Sequence, residues 1–418
     1  MIPRLFAYRY FCGMQNEQVK PDFEFIALMA SLMSIVALAI DAVLPALTEI
    51  GQAINTPDPT DHQLLITMIF LGLGVGQLFF GPLSDSYGRK SIVYFGFVLF
   101  IIASAICIFA PSLEIMLLGR VLQGIALSAP RTMSISIIRD TYSGDYMARV
   151  MSFVTAFFIL VPVVAPLIGK WILDAFGWEA IFYSQLFFGL LVALWFWRRQ
   201  GETLKPEFKI PFRLSVFQSG FKEFMKYRES VAFTLVSGLV TGAFLVYLSA
   251  AQHVFEKQYR MPDEFPYIFA ALAISIGLAT FMNGTLVLRI GMRKLALIAL
   301  LAFCFSAVLY CALYYDSSNP SIWILIPFLC IQFFGLGFLW GNFRAIAMEP
   351  LGHIAGIGAA INGFFSTVIS VPITIFIGNF IADTVWPMFA GLALCGLLAL
   401  AIMLVVRKPK VVKSPITP

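Results

Sequence analysis

Three charged residues stand inside long apolar stretches of the chain, where an ionised side chain is energetically costly. Asp41 follows the run MASLMSIVALAI, and Arg120 and Arg131 lie in a later segment that is also largely apolar. Charged groups in such surroundings are rare and usually serve a function such as proton relay or substrate binding. An acid at position 41 is therefore a candidate for loading and releasing a proton, and a nearby arginine is a candidate counter-charge.

The two arginines are eleven residues apart, which is close to three turns of an α-helix, so they would share one helix face. Gln123 and Gly124 lie near the same face. Arg120 can pair with Asp41, or it can donate hydrogen bonds to backbone carbonyls of neighbouring helices. Arg131 can face a cavity, where it would suit an anionic substrate, or reach toward lipid phosphates. The residues alone leave these alternatives open.

Several polar residues in apolar segments are candidates for lining a substrate cavity. We predict a cavity formed by Gln123, Gly124, Arg131, Gln252, Gln332 and Asn362, with Asn283 and Asn342 as further candidates.

Composition places the chain in a lipid bilayer. Of its 418 residues, 60% are hydrophobic and 12% are charged, about half the charged share of a typical soluble protein. A soluble fold has too little interior for that much apolar surface. The sequence therefore predicts an all-α integral membrane protein, because its apolar runs reach the roughly 20 residues that a spanning helix needs and lack the alternating polarity of barrel strands. Twelve spans are predicted, at about 23–47, 63–83, 91–110, 113–137, 147–172, 177–198, 229–253, 265–288, 294–315, 321–346, 355–382 and 386–406.

The distribution of Lys and Arg predicts the orientation. Most bases outside the spans fall on the side that holds both termini, whereas the opposite side holds Lys170, Lys257 and Arg260. By the positive-inside rule both termini are cytoplasmic. The net charge of +5 reflects this topology and does not indicate a nucleic-acid partner. We expect no cleavable signal peptide, because the first run is a full span without a small-residue cleavage site. Arg344, in the tenth span, is expected at the membrane interface.

A basic loop divides the chain into two sets of six spans. We predict a cytoplasmic N-terminal segment at 1–22, a six-helix bundle at 23–198, a cytoplasmic linker at 199–228, a second bundle at 229–406 and a tail at 407–418. The linker predicts an amphipathic helix on the membrane surface, with a calmodulin-like partner site as the alternative. Its apolar residues recur at near-helical spacing and are Phe212, Val216, Phe217, Phe221, Phe224 and Met225.

The stretch GPLSDSYGRK, residues 81–90, connects the second and third spans. Gly81 and Gly88 permit a tight turn. Asp85 can cap the next helix or pair with a base, and Arg89 and Lys90 are expected to anchor the loop at the anionic membrane surface. A weaker copy, GTLVLRIGMRK at 284–294, lies between spans eight and nine. Such repetition at half the chain length is typical of secondary transporters. For the stretch at 81–90 itself, a charged connector without a further role is the alternative.

Taken together, these motifs resemble the major facilitator superfamily. Residues 81–90 are similar to its Gly-x-Leu-x-Asp-x-x-Gly-Arg-Lys loop, and RVLQG at 120–124 is similar to the Arg-x-x-Gln-Gly motif of its drug:proton antiporters. The segment PVVAPLIG, with Pro162, Pro166 and Gly169, resembles their antiporter motif, though with fewer glycines. DAVLP at 41–45 resembles the Bcr/CflA drug-resistance branch.

The resemblance implies two pseudo-symmetric six-helix bundles around a central cavity, acting by alternating access as a monomer in a bacterial inner membrane. It implies export of small amphipathic drugs without a cofactor, with the proton as coupling ion and Asp41 and Arg120 as the coupling residues. A carrier of an organic anion, such as a carboxylate or siderophore, with Arg131 and Arg120 on the substrate, is the alternative. The resemblance also implies a gating loop that latches the halves when the cytoplasmic side is closed, formed by Gly81, Asp85, Gly88, Arg89 and Lys90.

Other protein classes lack their signatures in this chain. A phosphate-binding loop needs Lys directly after Gly and a preceding strand, and the region 83–91 offers neither. His62, His253 and His353 are scattered, and no metal or nucleophile arrangement is visible, which argues against an enzyme. The loops opposite the termini are short, which argues against a receptor.

Overall fold

A computed structural model describes residues 23–56, 58–142, 144–209, 214–315 and 318–406. Within them, twelve helices are long and apolar enough to cross a membrane, which confirms the predicted all-α membrane fold. Such helices satisfy their own backbone hydrogen bonds, as hydrocarbon requires. The first six spans are Phe23–Asp41 with its continuation Leu47–Ala53, Pro59–Tyr87, Arg89–Ile108, Leu113–Thr141, Gly144–Phe176 and Glu179–Arg199. The last six are Arg228–Gln252 with the π-helical His253–Gln258, Phe265–Ile290, Met292–Leu313, Ile322–Met348, Ala355–Gly378 and Trp386–Val405.

The linker carries the helix Leu214–Lys226, and we call the membrane face on which it lies the linker side and the opposite face the far side. Phe224 is buried in a cluster with Leu351 and Ile361, and the Phe221 ring stacks on Phe365 with centroids 5.7 Å apart. Phe224 is therefore packed against span eleven and the segment before it, whereas Phe221 and Met225 remain 41% and 50% exposed. That the helix lies on the membrane surface stays a prediction. Phe212 lies outside the described residues.

Spans two and four pack closely through small residues. A Cβ atom on Gly124 would lie 2.0 Å from the carbonyl oxygen of Ile69, and a Cβ on Gly72 would lie 2.0 Å from that of Val121. Only glycine allows the two backbones to approach this far, as in other membrane helix pairs. Gly124 is thus a packing residue and does not reach a substrate cavity.

The two halves repeat one polar contact. Gln123 of span four donates to Ser104 of span three at 2.8 Å, and Gln332 of span ten donates to Ser306 of span nine at 2.6 Å. Spans three and nine, and spans four and ten, hold corresponding places in the two halves, so this equivalence supports the internal repeat that the sequence predicts.

Polar contacts join the two halves on the far side. Gln252 of span seven donates to the Thr48 hydroxyl at 2.9 Å, and that hydroxyl donates to Glu256 at 3.3 Å. Lys170 of span five also pairs with Asp263 of the other half at 3.4 Å. We call Thr48, Gln252 and Glu256 the far-side latch, because they connect span one to span seven.

Candidate functional site

A cavity of about 630 Å³ lies between the two halves, within the roughly 300–1,000 Å³ of small-molecule sites. Its walls include residues at the linker-side ends of spans two, four and eleven, so the cavity opens toward the linker side while the latch closes the far side. Side chains from the first half include Gln77, Asp85, Arg131, Arg139, Thr155 and Phe158. Those from the second half include Ile276, Thr280, Asn283, Trp340, Arg344 and Ile357.

Two arginines from opposite halves line this cavity. Arg131 comes from span four, with its guanidinium carbon 5.9 Å from the ring centroid of Phe158, and Arg344 comes from span ten. Of the alternatives for Arg131, the structure places it in the cavity. The expectation that Arg344 lies at the membrane interface is wrong, since position along a span does not determine which face of the helix meets the cavity.

The cavity carries an excess of positive charge. Arg139 joins Arg131 and Arg344 in its lining, and in the part of the chain that the structure describes none of the three forms an ion pair. Among the described lining residues Asp85 is the one acid, and the Arg89 guanidinium holds its carboxylate at 2.5 Å. An acidic group entering the cavity would therefore meet unpaired guanidinium groups.

Asp41 is buried, with 6% of its surface exposed. It ends the first helical segment of span one, which resumes through the 3₁₀ turn Leu44–Ala46. Across the described ranges no hydrogen bond or ion pair to its carboxylate is found. Gly169 of span five packs beside it, because a Cβ there would lie 2.1 Å from the carbonyl oxygen of Ala42. The fold thus brings together the acid and the antiporter segment that the sequence singles out separately.

Arg120 does not pair with Asp41 in this structure, which corrects the expected ion pair. The fully buried Arg120 donates to the carbonyl of Leu65 at 3.0 Å, to the carbonyl of Ala39 at 3.1 Å and to Gln123 at 2.9 Å. Its alternative role, as a donor to backbone carbonyls across helices, is the observed one. Arg120, on span four, thus binds spans one and two, and its contact on span one, Ala39, lies two residues before Asp41. A movement of span one would therefore disturb the hydrogen bonds of Arg120.

Five of the six predicted cavity residues lie elsewhere, and Arg131 alone of that set lines the cavity. Gln123 and Gln332 bond serines within their own halves, and Gly124 packs against span two. Gln252 belongs to the far-side latch, and Asn362 donates to a threonine of span seven at 2.7 Å. A polar side chain in a span can equally serve helix–helix contact, and the sequence does not distinguish the two uses.

Asn283 was correctly included as a further candidate, and Asn342 donates to its side-chain oxygen at 2.7 Å. The cavity residues missed by the sequence reading include Gln77 and Trp340. On span ten, Gly337, Trp340 and Arg344 recur every three or four residues, which places them on one helix face. This spacing was the sequence signal that could have identified Trp340 as a cavity residue.

The stretch at residues 81–90, predicted as a gating loop, is mostly helical. Span two continues through Pro82 to Tyr87, so Gly81 and Asp85 lie in the helix and Gly81 makes no turn. The chain reverses at Gly88, whose φ of +96° favours glycine, and Gly291 repeats this with a φ of +86°.

Arg89 is buried rather than anchored in lipid, which corrects the expectation for this base. It donates to Asp85, to Ser84 at 2.6 Å and to Asp140 at 3.0 Å. Lys90 donates to the carbonyl of Trp197 at 3.4 Å. These contacts hold the stretch against spans four and six of its own half, so its action between the halves stays a prediction.

Glu202 is a residue that sequence reasoning missed. Its carboxylate accepts the backbone N–H groups of Arg89 at 3.0 Å and Lys90 at 3.1 Å, satisfying the free amides at the start of span three. This is the capping role considered for Asp85. No local signal could have revealed it, because 113 residues separate Glu202 from Arg89.

Span five remains one helix, Gly144–Phe176, through Pro162 and Pro166. It contacts span eight of the other half and span one of its own. Spans eight and one both contribute to the cavity wall, which suits a helix at the boundary between the halves.

Comparison with known proteins gives concordant matches. A family model described as Major Facilitator Superfamily matches residues 29–372. The chain is 32% identical over 285 residues to a bicyclomycin resistance protein homolog of Haemophilus influenzae, covering 68% of this chain and 71% of the relative. It is 25% identical over 392 residues to the multidrug resistance protein MdtL of Klebsiella pneumoniae, covering 93% and 96%. A crystal structure of a D-xylose-proton symporter is similar in fold, with a TM-score of 0.70 at 14% identity over 91% of this chain and 97% of that one.

Proposed function

This chain belongs to the major facilitator superfamily of transporters, and we propose that it exports small amphipathic compounds in exchange for protons by alternating access. The carrying observation is a cavity between the halves that is open on the linker side and closed by the far-side latch. The resistance proteins among its relatives support drug-like substrates.

The linker side corresponds to the cytoplasm in this proposal, because the basic linker lies there and basic loops stay inside. The membrane would be a bacterial inner membrane, with both termini cytoplasmic. The carrier is proposed to work as a monomer. In the exporting cycle, substrate enters the cavity from the cytoplasm, the halves close around it, and the latch opens.

Asp41 carries the coupling proton in this proposal. Its burial and the lack of a described ion pair make the ionised form of Asp41 costly. Proton uptake by Asp41 therefore depends on the packing around the point where the helix of span one is interrupted, just after Asp41. Opening the far-side latch would move this part of span one, because the Gln252 amide donates to the carbonyl of Pro45, four residues after Asp41, at 3.4 Å. A proton taken up from outside would be released inward when substrate binds.

The test is ligand-induced proton release from purified protein. Wild type is compared with Asp41→Asn and with Asp383→Asn, an exposed acid in a far-side loop, across lipophilic cations, neutral drugs and polycarboxylates. We expect release from wild type and Asp383→Asn, and binding without release from Asp41→Asn. Equal release from all three proteins would refute Asp41 as the proton carrier.

A second candidate is a proton-coupled carrier of a small organic anion, favoured by the unpaired Arg131 and Arg344 in the cavity. Arg120, predicted as a second substrate contact, is buried away from the cavity. Flux of compact polycarboxylates in proteoliposomes, without flux of amphipathic compounds, would select this candidate.

A further inference from the structure

We propose that the substrate carries an acidic group, a carboxylate, sulfonate or phosphate, that is bound between Arg131 of the first half and Arg344 of the second. The inference rests on the proposed function and narrows it to amphipathic anions and zwitterions. Its basis is that two guanidinium groups, one from each half, line the same cavity.

The first argument is the lack of a protein counter-ion. A guanidinium remains charged in a protein, and in the described ranges neither Arg131 nor Arg344 takes part in an ion pair or hydrogen bond. The acid of the cavity lining, Asp85, is already held by Arg89. A bound anion would supply the missing partner through charge-assisted, often bidentate, hydrogen bonds.

The second argument is the position of the pair across the boundary between the halves. Arg131 and Arg344 bring like charges into one cavity from opposite halves, and like charges disfavour close approach. An acidic group between them would replace repulsion with attraction on both sides. Substrate binding would thus favour closure of the cavity, which is the step that transport requires.

The third argument is the apolar wall beside the pair. Phe158 and Trp340 line the same cavity, and the Trp340 ring is held in place by an edge contact with Phe244 at 4.8 Å. Thr280 and Asn283 add neutral polar groups. A molecule with an aromatic body and one acidic group matches this arrangement.

The test uses probes that share one body and differ in charge: 1-naphthylacetate, its neutral amide and 1-naphthylmethylamine. Binding is measured on the full chain in nanodiscs of zwitterionic lipid, and flux is measured in proteoliposomes with a pH gradient. We expect the anion to bind at least tenfold more tightly than the amide. Arg131→Gln and Arg344→Gln should each remove that preference, and the thermal melting curve of each variant in the nanodisc reports whether it is folded.

Controls separate the pair from general effects. Arg198→Gln removes an exposed arginine at the linker-side end of span six and should keep the preference. Arg131→Lys and Arg344→Lys should each keep part of it. Equal binding of anion and amide by wild type, or an unchanged preference in both Gln variants, would overturn the proposal.

Two further arms distinguish the sources of the anion and the two proposals. If anionic lipid in the nanodiscs displaces the probe, and acidic probes are not transported while neutral ones are, the pair binds lipid headgroups and the substrate assignment fails. A charge preference in binding without flux of any compound would refute the proposed transport and leave the anion site standing. Flux without a charge preference in binding would support the proposed transport and refute the anion site.

Discussion

Replacing Thr48 with valine should shift the protein toward a state that is open on the far side. The Thr48 hydroxyl accepts from Gln252 at 2.9 Å and donates to Glu256 at 3.3 Å, and both partners belong to the other half. Valine has nearly the same shape and can make neither bond. The substitution therefore removes contacts that exist only while the far side is closed.

The size of the shift follows from the two lost hydrogen bonds. A neutral intramolecular bond contributes about 0.5–1.5 kcal/mol net, and one to a charged group about 1.5–3 kcal/mol. The site is half-buried, so we take values near the lower ends and expect a loss of about 2 kcal/mol. Since about 1.4 kcal/mol is a factor of ten, the ratio of far-side-open to far-side-closed molecules should rise about 30-fold.

Spin-label distances measure this ratio. Labels at Phe109 and Trp323, exposed residues at the far-side ends of the two halves, would be introduced after replacement of the native cysteines. A longer distance component should gain population in Thr48→Val. Thr67→Val is the matched control, because the Thr67 hydroxyl bonds the Gln63 carbonyl within its own helix, and it should leave the distribution unchanged.

An unchanged distribution in Thr48→Val, or an equal shift in Thr67→Val, would refute the assignment of these contacts as a latch between the halves. The linker-side distance provides a second check. It should shorten as the far-side distance grows, because alternating access couples the two openings.

Three further tests, two of them with a matched control substitution, address the packing and the capping described above. Arg120→Met should lower the free energy of unfolding by about 3 kcal/mol or more, because hydrogen bonds to a buried charged donor are lost; Arg131→Met should change it by about 0.5 kcal/mol or less, and equal melting curves would contradict this. Gly169→Ala should abolish transport, because its new methyl overlaps backbone, whereas Gly81→Ala has nothing within 4 Å and should fold and assemble normally. Glu202→Ala should weaken the start of span three by about 1 kcal/mol, seen as faster hydrogen exchange of its first amides; unchanged exchange would exclude the cap.

The number and type of the membrane spans could be read from the sequence, because crossing a bilayer demands about 20 apolar residues and a self-satisfied backbone wherever the span lies in the fold. The turn at Gly88 was equally accessible, since a positive φ selects glycine locally. The motifs that indicate the family could also be found in the sequence, because each is a short contiguous stretch. These features depend on local chemistry alone.

Only the tertiary structure decided which polar residues meet the cavity. Arg120 and Arg131 are related by three helical turns, yet Arg120 is buried among spans one and two and Arg131 borders the open space between the halves. Gln123 and Glu202 likewise act through partners that are distant in sequence. The exposure of a helix face is set by which helices cover it, and that covering arises from packing across the whole chain.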